Sequence, residues 1–150
     1  MPDVSISEML PVMEEILASG GEVTFTPRGR SMWPMLRNGL DTVTLKKTDK
    51  PLKKYDVPLY KNQDGKFILH RVIRKNKNGY VMRGDNTLTN EYGITDDMII
   101  GVLTSFRSRG TNYTPNSLKY RLYCILRCNF MTVFLRRTKR KFLRNKKTVD

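Results

Sequence analysis

Val57-Pro58-Leu59-Tyr60-Lys61, then Asp64-Gly65, then Lys66-Phe67-Ile68-Leu69-His70-Arg71-Val72-Ile73-Arg74, then Asn78-Gly79, then Tyr80-Val81-Met82-Arg83 is the run that decides the fold. Three stretches rich in β-branched and aromatic residues are separated by Asp-Gly and Asn-Gly. Those dipeptides accept the positive φ of tight turns, so the stretches read as short antiparallel strands. The same texture continues on both sides. Glu22–Thr26 alternates, Thr42–Leu45 follows the turn signal Asn38-Gly39, and Ile99–Phe106 forms a further strand candidate. Many short strands with turns between them predict a mainly β, antiparallel body. Pro58 has no N–H to give to a ladder, which points to an edge strand or a bulge at that position.

Ahead of the strands the period changes. Ile6, Met9, Leu10, Met13, Ile16 and Leu17 recur at helical spacing behind a Ser5-x-x-Glu8 capping box, and Gly20-Gly21 follows. A helix over about Ser7–Ala18 is expected, its stripe either packed on the body or offered to a partner. No internal repeat is visible. Acidic residues Asp3, Glu8, Glu14 and Glu15 stand where a secretory signal would carry a basic start, so the first residues do not read as a signal peptide.

The chain has 150 residues with 28 Lys+Arg against 14 Asp+Glu, a formal charge of +14. Residues 1–110 hold 17 basic and 13 acidic side chains, whereas residues 111–150 hold 11 basic ones and the single acid Asp150. The expected organisation is therefore an N-terminal helical segment over 1–21, a β domain over 22–110 and a basic tail over 111–150. The excess charge implies a polyanionic neighbour, and it belongs to the tail.

In that tail Leu118, Leu122, Tyr123, Ile125, Leu126, Phe130, Met131, Val133, Phe134 and Leu135 alternate with Lys119, Arg121 and Arg127. A run from Arg136 to Lys147 follows, in which Arg136, Arg137, Lys139, Arg140 and Lys141 are the candidate membrane-binding residues. A basic amphipathic helix of this composition either lies in a membrane interface or packs on the β body with a solvated basic end. No apolar run reaches the roughly 18 residues of a membrane span. Cys124 and Cys128 can share a helical face. With one histidine in the chain, and that one far upstream, the ligands for a zinc site are lacking, and the two cysteines read as small apolar residues.

Chemistry can arise from three places. Ser31 sits in Gly29-Arg30-Ser31-Met32-Trp33-Pro34, where Gly29 permits unusual backbone angles and Pro34 stiffens the turn. A serine on a rigid turn is a positioned nucleophile if a base takes its proton; otherwise the stretch is simply a turn. His70, the sole histidine, is the better base than any lysine because its ordinary pKa lies near neutrality. Alternation along one strand puts Ile68, His70 and Val72 on one face, and Leu69, Arg71 and Ile73 on the other. The third place is the loop from Gly84-Asp85-Asn86 to Glu91, where either Asp85 or Glu91 can orient His70.

Taken in order, Gly29-x-Ser31-Met32-x-Pro34-x-Leu36, Asp56-Val57-x-Leu59-Tyr60, Leu69-His70-Arg71-Val72-Ile73, Gly84-Asp85-Asn86 and Ile100-Gly101-Val102 resemble the type I signal peptidase/LexA-type serine peptidase superfamily over about residues 22–106. Histidine at the base position resembles its Ser–His branch, the endoplasmic-reticulum and archaeal-type signal peptidases, rather than the Ser–Lys branch. The resemblance implies a signal-peptidase/LexA-like β body, Ser31 as nucleophile, His70 as general base, and Asp85 and Glu91 as downstream acids. It also implies the Ser31 backbone N–H as an oxyanion donor. Glu91 stands where the family normally has aspartate, Gly39-Leu40-Asp41 carries one residue more than the family's Gly-Asp, and Gly29 replaces a hydroxyl residue. The twenty-odd residues before the first strand are too few for the DNA-binding domain of LexA-type proteins, and the usual transmembrane anchor is missing.

The expectation is a serine endopeptidase that cleaves secretory signal or leader peptides, bound as an added β-strand, without metal or other cofactor. Its partners are that peptide and an anionic membrane surface, with no nucleic acid. The tail holds it as a peripheral protein on the cytoplasmic face. A maturation peptidase for one small secreted peptide shares this chemistry. The alternative is a non-catalytic β module that binds anionic membrane or nucleic acid through the tail, where Tyr120, Tyr123, Phe130 and Phe134 interleave with the basic residues.

Overall fold

The computed structural model describes residues 6–128, apart from the Ser7 side chain, together with 135, 136, 138 and 139. The chain divides into two compact units, Met1–Pro115 and Asn116–Asp150. The first is mainly β, as expected, and is built from two antiparallel sheets.

Helix α1 runs over Ile6–Ala18. It stops because Gly20 adopts φ +83°. Gly20 N–H then donates to the Leu17 carbonyl and Gly21 N–H to the Ile16 carbonyl, the paired bonds of a left-handed helix end. The proposed cap, Ser5, lies outside the described residues. Met13 and Leu17 are the buried members of the apolar stripe. The helix packs on strands β1 (Glu22–Phe25) and β8 (Ile99–Ser108). A Cβ on Gly101 of β8 would stand 3.2 Å from Leu17 Cδ1 and 3.4 Å from Leu45 Cβ, so the bare backbone there lets the helix seat closely.

The larger sheet has six strands in the order β1, β2 (Thr42–Lys46), β8, β3 (Pro58–Lys61), β4 (Phe67–Leu69), with β9 (Thr111–Tyr113) also pairing β8. The smaller has β5 (Arg71–Asn76), β6 (Gly79–Arg83) and β7 (Glu91–Ile94). Tyr60, Val72, Tyr80, Met82 and Ile94, with Leu52 from a loop, form a shared core, and Ile68, Met98, Ile99 and Val102 pack against it. The two sheets are thus joined through apolar side chains from both.

Three local expectations change. The stretch from Lys66 to Arg74 is two strands, not one: β4 ends at Leu69, β5 begins at Arg71, and His70 is the crossing point from one sheet to the other. Single-strand alternation fails there because Leu69, His70, Arg71 and Val72 are all buried between packed layers. Pro58 opens an inner strand, with β8 on one side and β4 on the other, and a register shift follows at Leu59/Tyr60. The first position of a strand tolerates the missing N–H, and the bulge follows it. Residues 111–113, grouped with the tail in the sequence, pair with β8 as β9.

In the second unit α2 covers Leu118–Cys128. No helix among the described residues is long and apolar enough to cross a membrane.

Candidate active site

Ser31 lies on the turn that follows β1. The turn is held from beneath by Met32, Met35 and Leu36, all buried, while Trp33 remains half exposed. Two backbone bonds tighten it, Trp33 N–H to the Arg30 carbonyl and Leu36 N–H to the Met32 carbonyl. Gly29 takes φ +107°, a conformation that glycine adopts freely, and its N–H donates to Asn38 Oδ1 at 2.7 Å. The Trp33–Pro34 peptide is cis.

Asp41 moors this turn to the sheet. Its carboxylate is buried and accepts from Arg37 Nε and Nη2, from the Arg37 N–H, from Ser108 Oγ and from the Arg109 N–H. Burial alone would raise its pKa. The Arg37 guanidinium and the converging donors outweigh that and hold the carboxyl well below the usual range. Arg109 also donates to the Pro34 carbonyl at 3.2 Å.

On the opposite side the loop after β6 closes on the serine. Asn86 N–H donates to the Ser31 carbonyl at 2.7 Å, and Asn86 Nδ2 to the Arg30 carbonyl at 3.2 Å. A Cβ added to Gly84 would lie 2.7 Å from the Ser31 carbonyl oxygen, 2.9 Å from His70 Nε2 and 3.0 Å from Ser31 Cβ. The serine side chain and the free ring nitrogen therefore border one small space, and only glycine leaves that space open. No hydrogen bond joins Ser31 Oγ to His70 Nε2. The Ser31 N–H has no hydrogen-bond partner among the described residues, so it is available to an incoming oxygen.

Behind the ring, His70 Nδ1 lies 2.9 Å from Glu91 Oε1. Tyr60 Oη donates to Glu91 Oε2 at 3.0 Å and also lies 3.5 Å from His70 Nδ1. Glu91 thus fixes the tautomer with the proton on Nδ1 and the lone pair on Nε2. Burial pushes the His70 pKa down, and the charges of Glu91 and Asp85 pull against it; the net direction is below the ordinary value of 6.5. The ring is a neutral base at neutral pH. Burial and the neighbouring Glu91 charge push the Tyr60 phenol far up, so it stays a donor.

The two candidate acids separate here. Asp85 is gripped by Arg71, whose Nε and Nη2 each donate to one carboxylate oxygen at 2.8 Å. Both side chains are almost wholly buried, and Arg71 also donates to the Tyr55 carbonyl. Asp85 is thus the counter-ion of Arg71, and Glu91 is the group on Nδ1. Ser31, His70 and Glu91 come together; Asp85 acts on the ring only at a distance.

A cleft of about 210 Å³ opens at this point, lined by Ser31, His70, Met32, Leu36, Pro27–Gly29 and the Phe67–Leu69 edge strand. Of the basic residues assigned to membrane binding, Arg136 and Lys139 are described, and Arg136 Nη2 donates to the Arg127 carbonyl at 2.8 Å. Arg137, Arg140 and Lys141 lie outside the described residues.

Tyr60 and Arg71 are the participants that sequence reasoning missed. A buried phenol needs a partner for its hydroxyl, and an arginine inside an apolar run needs an acid, so each residue type carried a signal. No protein-family model and no curated protein matches the chain.

Proposed function

We propose that this chain is a serine endopeptidase with the chemistry of the Ser–His signal peptidases. The observation that carries the reading is the joint border of Ser31 Cβ and His70 Nε2 on the space above Gly84, with Glu91 on the far nitrogen of the ring. The reading requires Ser31 Oγ to turn toward Nε2 about the Cα–Cβ bond. The hydroxyl attacks a peptide carbonyl while Nε2 takes its proton, and Glu91 stabilises the imidazolium that forms. The Ser31 N–H donates to the oxyanion. His70 then protonates the leaving amine, and water, activated by the same nitrogen, releases the acyl group from Ser31.

Substrate fits this site as an extended strand. The Phe67–Leu69 strand is the outer member of its sheet and forms one wall of the cleft, so its free backbone groups can pair with a peptide. The motif resemblance supports a signal or leader peptide as the substrate class.

A fluorophosphonate or penem probe tests the reading directly. One equivalent of covalent label is expected, located on Ser31 by peptide mass mapping. A folded, unlabelled protein would leave the chain as a non-catalytic module. Gly84→Ala gives a second check. Its methyl meets the Ser31 carbonyl oxygen and the His70 ring, so one or both must shift. A misplacement of about 1 Å at reacting groups can cost about 100-fold in rate, and a loss of that order is expected in the cleavage of a signal-like peptide.

A further inference from the structure

Helix α2 divides its side chains into two opposed sets. Leu118, Leu122, Ile125 and Leu126 follow one another at i, i+4, i+7 and i+8, which is a single face of a helix. They are 80%, 58%, 51% and 58% exposed. The buried residues of the helix, Tyr120 and Cys124, fall on the other side. Lys119 and Arg121, both exposed, flank the leucine face on its two edges. An apolar stripe in solvent with a cation along each border is the layout of a helix lying in a lipid interface. There the leucines enter the acyl region and the long cationic stems reach back to the headgroups.

We propose that the Leu118–Leu122–Ile125–Leu126 face of α2 is a membrane-insertion surface for anionic bilayers. Charge complementarity selects the occupant. The stripe is bordered by Lys119 and Arg121, and no acid other than Asp150 occurs after residue 110, so the face repels other cationic surfaces and favours an anionic one. The sequence offered the tail from Leu118 as an interfacial helix and named Arg136, Arg137, Lys139, Arg140 and Lys141 as its membrane-binding residues; the proposal places the main contact on the leucines of α2 instead. It is independent of peptide cleavage.

The test uses the full chain and vesicles of equimolar phosphatidylcholine and phosphatidylglycerol in a sedimentation assay. Leu122→Glu/Ile125→Glu is expected to weaken partitioning at least roughly tenfold, because two large apolar side chains no longer enter the bilayer. High salt is expected to weaken wild-type binding only in part, since screening acts on the cations and not on the leucines. A Trp33→Phe/Leu122→Trp protein supplies a reading that does not depend on the double variant folding. Its emission should shift to the blue on vesicles and be quenched by brominated acyl chains. Wild-type binding by the folded double variant, or an indole neither shifted nor quenched, overturns the proposal. So does a double variant that loses self-association or retention on RNA while keeping its vesicle binding, for then the leucine face serves a second copy or a nucleic acid.

Discussion

Ser31→Ala and His70→Ala are each expected to lower kcat/KM for a signal-like peptide by roughly 10⁴-fold or more, since a nucleophile and its base act as one unit. The double variant should be little worse than either single one. The fold should survive Ser31→Ala, because Ser31 is only half-buried and its Oγ supports no other part of the molecule. His70→Ala also empties a buried position and leaves Glu91 without its ring partner, so its loss of rate is read on protein shown by circular dichroism to be folded. The pH profile carries the same mechanism. His70 must be neutral to accept the proton, and burial sets its pKa below 6.5, so the acid limb of kcat/KM should have its midpoint below 6.5 and a plateau at neutrality. Glu91→Gln removes the charge that pulls the His70 pKa upward. That limb should then move to still lower pH while the plateau rate falls. Stability follows the same sign. The unfolded histidine binds a proton below 6.5 that the folded one resists, so its contribution is intact above 6.5 and is lost as pH falls. An unchanged profile in Glu91→Gln, read by initial rates across pH 4 to 8, would remove Glu91 from the mechanism.

The second large effect concerns stability. Arg71→Met leaves the Asp85 carboxylate buried without its fork of donors, and breaking a buried pair on one side costs about 3–5 kcal/mol. For a domain of this size that is a large part of the whole stability. Urea denaturation should show a midpoint moved far to lower concentration, or no folded baseline. Arg71→Met/Asp85→Leu, which removes both charges and fills the volume, is expected to recover most of the loss. A double variant no better than the single one would show that Arg71 matters through its Tyr55 contact and its packing rather than through Asp85. Measured by double-mutant cycle, this coupling should far exceed that of an exposed surface pair.

Much of the fold was legible because its local signals agree. The stripe from Ile6 to Leu17 and the paired glycines after it define α1, and the Asp-Gly and Asn-Gly turns separate strands on either side. What escaped was decided by tertiary contacts. Glu91–Ile94 holds an acid, an exposed tyrosine and a glycine, and only Ile94 is buried, so nothing in its pattern marks a strand. It is one because Met82 and Tyr80 supply a partner edge. The break at His70 was hidden because a continuous apolar run looks the same whether it stays in one sheet or passes between two. At the site, residue types pointed to Ser31 and His70 and left two acids equivalent. The separation of Asp85 from Glu91 depended on Arg71, a neighbour of the histidine in sequence whose side chain turns inward to a different carboxylate.

Strand β8 pairs with β2, β3 and β9, and its last residue, Ser108, bonds the carboxylate that moors the serine turn. Thr42 opposes Arg107, and Pro58 opposes Val102. The centre of the larger sheet is therefore empty until the ribosome has delivered the final third of the body. Contacts this distant along the chain carry a high loop-closure cost, which makes folding slow and concerted rather than progressive. A nascent chain halted before residue 99 holds the strands of the smaller sheet and the β1–β2 and β3–β4 pairs, but lacks the strand that joins those pairs into the larger sheet, and the serine turn still lacks its Ser108 mooring.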